Sequence, residues 1–418
     1  MICVPIAGGN WNNGSNAGLS ALNLNNSRSN SNSNIGFRPA LDNACCCALK
    51  GASQSLFQKD ATASALAETT PQPVDASAGC IYQALFQFDH LLKAAYDCRK
   101  GKSHKAVTLK FFDNLEENLI NLQNHLIWQS YEPGEHYQFY VFEPKRRLIS
   151  APNFTDRVLH RAIYNLLYPL FDKQFIYDSY ACRIGKGAHK GADRAQRYIR
   201  SVTATHGKAF ALKADIAKYF ASINHTVLKR LLRQKIRCSR MVSLLSLIID
   251  KSPDTTNCGI PLGNLTSQLF ANVYLHELDV FVKHHLKIKR YARYMDDFAV
   301  IHHDKAQLHQ WRRDIEHFLQ TQLSLKTNRK TQVFPVSKCN GRSLDFLGYR
   351  IYADKRLLRR CSVKRIKTTL KKLHKSYAAH EAGIAEIKQV VDSWLAHARH
   401  ASTTGLINHI LSKPFVRS

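Results

Sequence analysis

From about residue 82 onward, stretches whose apolar residues recur every three or four positions alternate with stretches where they recur every two. The run "LFQFDHLLKAAYDCRKGKSHKAVTLKFFDNLEENLINLQNHLIW" predicts helices, with Leu115, Leu119, Leu122 and Ile127 near one face. "FYVFEPKRRLISAP" alternates, reads as β-rich and ends at Pro152, and "DRVLHRAIYNLLYPLFDKQF" returns to helix. In "KAFALKADIAKYF", Phe210, Leu212 and Ala214 alternate with Ala211, Lys213 and Asp215, which predicts a strand carrying Asp215 outward at its end. Asn224 can cap a following helix with apolar positions Val227, Leu228, Leu231 and Leu232. "GIPLGNLTSQLFANVYLHELDVFV" predicts a glycine-rich turn opening a buried helix. Strands are expected again around "YARYMDDFAVIH", a helix around "WRRDIEHFLQTQL", and a short hairpin at "SLDFLGYRIY". The C-terminal region reads as all-helical. Val363, Ile366, Leu370, Leu373 and Tyr377, spaced 3, 4, 3, 4, make one stripe, and Ile384, Ile387, Val391, Trp394 and Leu395 mark a second helix.

Ahead of this patterned region, residues 8–40 are rich in Asn, Ser and Gly and show neither period, which predicts a polar, disordered segment; residues 41–80 read as a linker. Charge sharpens the division. The chain carries 60 Lys and Arg against 31 acidic residues, a net charge of +29, yet residues 1–80 sum to zero. All the excess therefore lies in residues 81–418, where it would attract polyanions, nucleic acid above all, although charge alone does not separate nucleic acid from an acidic membrane. Eleven cysteines without a repeated metal spacing suggest reduced thiols. No basic leader precedes a long apolar run, and no stretch of about 18 apolar residues occurs. A cytoplasmic protein without a membrane partner is expected.

Candidate chemistry centres on Asp296 and Asp297, adjacent like charges inside the apolar run "RYARYMDDFAVIHH". Alone, such a pair is more often an exposed turn. Phosphoryl transfer to a hydroxyl needs charge neutralised on the attacking and leaving oxygens, and two Mg2+ ions ~3.5–4 Å apart, held by carboxylates, can do this. A strand-end Asp215 and a hairpin-tip Asp296 and Asp297 on a neighbouring strand could converge on such a pair, the dications compensating the like charges. Lys364, Arg365, Lys367, Lys371, Lys372 and Lys375 fall around the first C-terminal helix, either as a solvated basic face or as a grip on phosphates.

"YMDD" in an apolar strand pair, preceded in order by "DIAKYF" and "GIPLGNLTSQ", resembles the palm of reverse transcriptases. "EPKRRLISAP", "DRVLHRAIYN" and "DSYACRIGKGAH" resemble the fingers motifs of the bacterial group II intron-like branch, and "LKTNRKT" and "FLGYRIY" its later palm motifs. The resemblance implies an α+β right-hand polymerase, with fingers and an antiparallel-sheet palm over 82–355, an all-helical thumb over 356–418, and a disordered leader over 1–81. It implies metal binding by Asp215, Asp296, Asp297 and the backbone of Ile216, and protonation of the leaving pyrophosphate by Lys330. Lys145, Arg147 and Arg183 would bind the incoming triphosphate, and Phe220 would exclude a 2′-OH, so that the product is DNA. Leu262, Gly263 and Gln268 would line the nucleotide site, and Phe346, Leu347, Gly348 and Tyr349 would form the primer grip. Template RNA, primer, cDNA and dNTPs are the implied partners.

Within that family, "LGNLTSQ" together with "DSYACRIGKG" resembles the diversity-generating retroelement enzymes. Those copy a template-repeat RNA into cDNA with errors at adenines, usually beside a small basic accessory variability protein. Leu262 stands where most members carry Gln, and losing an amide near the nucleotide should relax selection of the base pair. Residues 8–40 resemble a translated template repeat, since Asn codons begin AA. A group II intron or retron-type enzyme remains an alternative, disfavoured by "LGNLTSQ" and by the lack of a maturase-sized extension or HNH motif toward residue 418. A non-catalytic nucleic-acid-binding relative is the other.

Overall fold

The structure is a computed structural model that describes residues 80–142, 146–251 and 257–416. The polar leader expected over 1–81 therefore lies almost wholly outside the described residues, as does Lys145. Four helices open the described chain: α1 (Ile81–Leu85), α2 (Phe88–Arg99), α3 (Ala106–Asp113) and α4 (Leu115–Ile127). On α4 the buried positions are Leu119, Leu122 and Leu126, while Ile127 faces solvent, so the inward stripe ends one residue earlier than expected. The alternating run that follows is not one strand. It folds back as an antiparallel ribbon, β1 (His136–Val141) on β2 (Arg147–Pro152), with Val141 opposite Arg147. Asn153 then caps α5 (Phe154–Asp172), its side chain accepting the Asp156 N–H at 2.7 Å.

Helix α6 (Ala188–His206) ends at Gly207, which takes a left-handed φ of +71° and lets the chain turn into β3 (Phe210–Asp215). Three helices follow: α7 (Tyr219–Ser222), α8 (His225–Lys235) and α9 (Ser239–Asp250). As expected, Asn224 caps α8, accepting the Val227 N–H at 3.1 Å, and Leu228, Leu231 and Leu232 are buried. Helix α10 (Leu265–Val280) is buried nearly all round, which is why its sequence shows no amphipathic stripe. The hairpin β4 (Tyr291–Tyr294) and β5 (Asp297–His302) comes next, then α11 (Lys305–Leu323) and β6 (Gln332–Pro335).

These strands form a four-stranded antiparallel sheet in the order β4-β5-β3-β6. Strict alternation divides its two faces between two cores. Leu212, Ala214, Phe298 and Val300 enter the core built with α5 and α8 to α11, whereas Ala211, Ala299 and Ile301 enter the core beneath α6. By the same period Lys213, Asp215 and Asp297 lie on the α6 face of the sheet.

A second, three-stranded sheet joins β7 (Leu344–Phe346), β8 (Tyr349–Ile351) and β9 (Arg356–Leu358). It leads into α12 (Arg360–Ala378), α13 (Ile384–Ala398) and α14 (Thr404–Leu411). Because β9 pairs with β8, the helical part begins at Arg360, and a break at 355/356 would run through this sheet. On α12 the expected stripe is buried at Ile366, Leu370, Leu373 and Tyr377; on α13, Ile387 and Trp394 are buried while Ile384 is exposed. Cys80 and Cys238 are paired as a disulfide across 158 residues. This corrects the expectation of thiols throughout, because α1 packing against α9 creates a neighbourhood that linear spacing does not reveal. Among the described residues no helix is long and apolar enough to cross a membrane.

Candidate active site

Register fixes the centre of the site. Asp215, the last residue of β3, is the direct antiparallel partner of Asp297, the first residue of β5. Tyr294 closes the hairpin opposite Asp297, which leaves Met295 and Asp296 as a two-residue tip. Met295 adopts a left-handed φ of +54°, a conformation an unbranched side chain tolerates at modest cost. Ile216 ties the tip to the end of β3, its N–H donating to the Asp296 carbonyl at 3.3 Å. Ile216 also faces Thr327 across an isolated bridge whose hydrogen bonds are made by its neighbours, Ala217 to Lys326 and Asn328 to Asp215. Those bonds leave the Ile216 carbonyl outside the ladder.

The three carboxylates are not equivalent. That of Asp296 lies within hydrogen-bonding reach of Asp215, and burial, then the Asp215 charge, raise its pKa well above the ordinary carboxylate range. Asp297 instead pairs with Lys213, Oδ1 to Nζ at 3.1 Å; burial raises its pKa to about 6 against the opposing pull of Lys213. Asp215 is held from the other side by Asn328, whose side-chain amide donates to Oδ2 at 3.2 Å and whose backbone N–H donates to the Asp215 carbonyl at 2.6 Å. Lys213 and Asn328 were not singled out from the sequence, although both stand in motifs that were: Lys213 two residues before Asp215, and Asn328 inside "LKTNRKT".

Two carboxylates in contact, both accepting through oxygen and bordered by a carbonyl outside the ladder, are a donor set suited to a hard divalent cation. The raised pKa of Asp296 comes from burial first and from the Asp215 charge second, and a cation held there would offset both. Among the described residues no three His, Cys, Asp or Glu side chains are arranged to hold an ion as they stand. Asp297 would join Asp215 and Asp296 by exchanging its Lys213 partner.

Around this centre the other expected site residues fall into distinct groups. Phe220 is half-buried against Tyr219, and its carbonyl accepts the Ile260 N–H at 2.9 Å, linking α7 to the segment that leads into Leu262. The Leu262 carbonyl accepts the Ser150 N–H at 3.0 Å, which fastens the β1–β2 ribbon to this turn. Gly263 is required here: φ is +133°, and a Cβ would meet the Ser150 carbonyl oxygen at 2.8 Å. Gln268 is buried in the first turn of α10. Lys330 is exposed, its N–H donating to the Asn328 side chain at 3.1 Å. At the β7–β8 tip, Leu347 and Gly348 both take positive φ, +52° and +90°, and the fully buried Phe346 and Tyr349 anchor the hairpin. The Tyr349 hydroxyl meets His189 Nδ1 at 2.8 Å and His397 Nδ1 at 3.1 Å, joining α6, this hairpin and α13.

Arg183 stands apart from the other expected nucleotide ligands. Arg183 is buried, and its guanidinium is spent inside its own loop. Nε donates to Asp172 Oδ1 at 2.6 Å, Nη1 to the carbonyls of Ile176 and Ser179 at 2.6 and 3.0 Å, and Nη2 to the Asp172 carbonyl at 3.2 Å. It shapes the loop before α6 and has no free fork to offer a triphosphate. Arg147 is exposed at the open end of β2. Farther along, a cavity of about 600 Å³ runs beside α12, lined by Arg350, Arg360, Lys364, Lys367 and Lys371 over apolar residues such as Val363 and Leu406.

The profile of the family "Reverse transcriptase (RNA-dependent DNA polymerase)" matches residues 143–351, half of the chain, including every carboxylate of this centre. The chain belongs to the reverse transcriptase family. It is 25% identical over 272 residues to the group II intron-encoded protein LtrA of Lactococcus lactis, covering 61% of this chain and 44% of LtrA. It is 23% identical over 271 residues to protein YkfC of Escherichia coli, covering 55% of this chain and 70% of YkfC. The chain thus spans less than half the length of LtrA. Among solved structures, a Candida tropicalis telomerase in complex with a fragment of telomeric RNA overlaps with a TM-score of 0.45 at 12% identity, covering 66% of this chain and 55% of that one.

Proposed function

We propose that this reverse transcriptase is an RNA-directed DNA polymerase that copies a template-repeat RNA into error-prone cDNA for a diversity-generating retroelement. The observation that carries the polymerase reading is the register that sets Asp215 opposite Asp297 with Asp296 at the tip between them. Asp215, Asp296 and, once released from Lys213, Asp297 would hold two Mg2+ ions with the Ile216 carbonyl. Those ions supply charge neutralisation at the attacking and leaving oxygens. The chain's own residues set geometry and handle protons. Asn328 and the Ile216 N–H fix the two carboxylate-bearing segments against each other, which favours a primer 3′-OH and an α-phosphate held in line. Lys330, on the turn that Asn328 braces, would pass a proton to the departing pyrophosphate. Phe220 would close the space a ribose 2′-OH needs, so dNTPs are the substrates. Arg147 and Lys145 are the cations left for the triphosphate. Residues 82–358 then make fingers and palm, and α12 to α14 a thumb whose basic groove follows the duplex backbone.

Leu262 supports the mutagenic part of the reading, because a residue whose side chain cannot hydrogen-bond stands at the turn joining ribbon and palm. The Asn-rich composition of residues 8–40 supports the template-repeat part. A small basic accessory protein is the expected partner. The second reading, a group II intron-type enzyme, is favoured by the similarity to LtrA. Primer extension on an adenine-containing RNA template with Mg2+ and dNTPs, with and without the accessory protein, tests both. Asp296→Ala with Asp297→Ala should abolish product, and equal product from this variant would refute the polymerase. Errors concentrated opposite template adenines favour the retroelement; evenly spread, rare errors favour the intron-type enzyme.

A further inference from the structure

Behind the aspartate tip lies a buried charge that the reaction itself does not use. Arg293, on β4, and Asp279, near the end of α10, are both 0% exposed and form a two-pronged ion pair, Nε to Oδ1 at 2.7 Å and Nη2 to Oδ2 at 2.6 Å. Burying such a pair is not in itself a gain in stability, since apolar residues of similar volume often do as well or better. Its other contacts are more telling. Nη1 donates to the Met295 carbonyl, in the tip itself, at 3.0 Å, and approaches Asn272 Oδ1 at 3.4 Å. Nη2 donates to Ser179 Oγ at 3.1 Å. The Arg293 backbone completes the clamp: its N–H donates to the Asp178 carbonyl and its carbonyl accepts the Tyr180 N–H, both at 2.9 Å.

By strand alternation this side chain lies on the face of the sheet opposite Asp215 and Asp297. One planar group therefore spans three separately placed elements: a helix, the loop at 178–180, and the turn that carries Asp296. A lysine could satisfy the Asp279 charge but has no rigid fork with which to reach Met295 and Ser179 at once. We propose that Arg293 is a positioning residue for the catalytic hairpin, holding Met295 so that Asp296 is presented to the metal ions in one fixed place. The inference rests on the polymerase reading. It concerns where Asp296 sits, not whether the chain folds, and outer residues that orient metal ligands typically contribute 10–100-fold in affinity or activity.

The test uses the full chain in primer extension, with Mg2+-dependent thermal shift as a readout independent of turnover. Arg293→Lys and the paired apolar exchange Arg293→Met with Asp279→Leu are compared with wild type. The expected result is a folded protein with dNTP KM within about twofold, kcat lowered about 10–100-fold, and the Mg2+ midpoints of both activity and thermal shift moved upward. A purely structural role would lower melting temperature and leave kcat and the Mg2+ midpoints of the folded fraction untouched; that outcome overturns the inference, and so does failure of both variants to fold. Wild-type extension that survives Asp215→Asn would overturn the polymerase reading and this inference with it. Asp215-dependent extension with unaltered Arg293 variants would overturn the inference alone.

Discussion

Replacing Asp296 with Asn should make the metal-free protein more stable while destroying its activity. The wild-type carboxylate is partly buried and lies against that of Asp215 at the end of β3. Two unit charges ~4 Å apart at an effective dielectric of ~20 repel by about 4 kcal/mol. Both groups keep some access to solvent, which screens part of this, so relief of about 1–3 kcal/mol is expected. Because folding raises the pKa of Asp296, the folded state holds the proton more tightly than the unfolded chain. Stability therefore falls as pH rises from the ordinary carboxylate range toward neutrality, and the penalty is complete above it.

In EDTA at pH 8, Asp296→Asn should melt roughly 2–6 °C above wild type, and the difference should vanish near pH 4. Added Mg2+ should reverse the order, stabilising wild type through binding to the folded state and the variant far less. Thermal unfolding followed by circular dichroism at pH 4, 6 and 8, with EDTA or Mg2+, measures all of this. An Asp296→Asn protein no more stable than wild type in EDTA at pH 8, or stabilised by Mg2+ to the same extent, would refute the account of two carboxylates waiting for a cation.

Three further outcomes follow from the same geometry. Arg183→Gln should cost about 2–4 kcal/mol, since it takes a charged donor from the Asp172 carboxylate and donors from the carbonyls of Asp172, Ile176 and Ser179, yet leave dNTP KM unchanged at temperatures where the protein is folded; a raised KM would restore Arg183 to the triphosphate site. Leu262→Gln should lower misincorporation when cDNA from a defined template is sequenced, and an unchanged error spectrum would remove Leu262 from fidelity. Changing Lys364, Lys367 and Lys371 together to Gln should weaken primer–template binding and reduce the slope of log affinity against log salt by about 2–3 in electrophoretic titrations, with no loss of melting temperature.

Much of this was legible in the sequence because local period and local function coincide. The β3 strand ends at Asp215 because alternation stops there, Asn224 caps α8 because an amide before an apolar helix satisfies an open N–H, and the aspartates of an apolar hairpin fall at its turn end, Asp296 in the tip and Asp297 at the start of β5 rather than both in the tip. What escaped has a common cause. Whether an arginine faces a ligand or its own loop depends on acceptors brought in by tertiary structure; the motif that contains Arg183 does not show that Asp172, Ile176 and Ser179 curl around it. The division of labour among the aspartates escaped for the same reason, since Lys213 and Asp297 meet only through the β3–β5 register.

That division bears on how the site would assemble. Asp215 and Asp296 already share a small volume, whereas Asp297 is neutralised by Lys213 on the neighbouring strand. A first cation held by Asp215 and Asp296 would replace repulsion with attraction and would need no ion pair broken. Recruiting Asp297 requires giving up a 3.1 Å contact to Lys213, so that carboxylate should join later and bind more weakly. Asp297→Asn should then preserve most of the Mg2+-induced thermal stabilisation that Asp296→Asn loses, while still lowering kcat. Equal loss of stabilisation in the two variants would mean that all three carboxylates bind as one unit, and that the Lys213 contact offers no resistance to the metal.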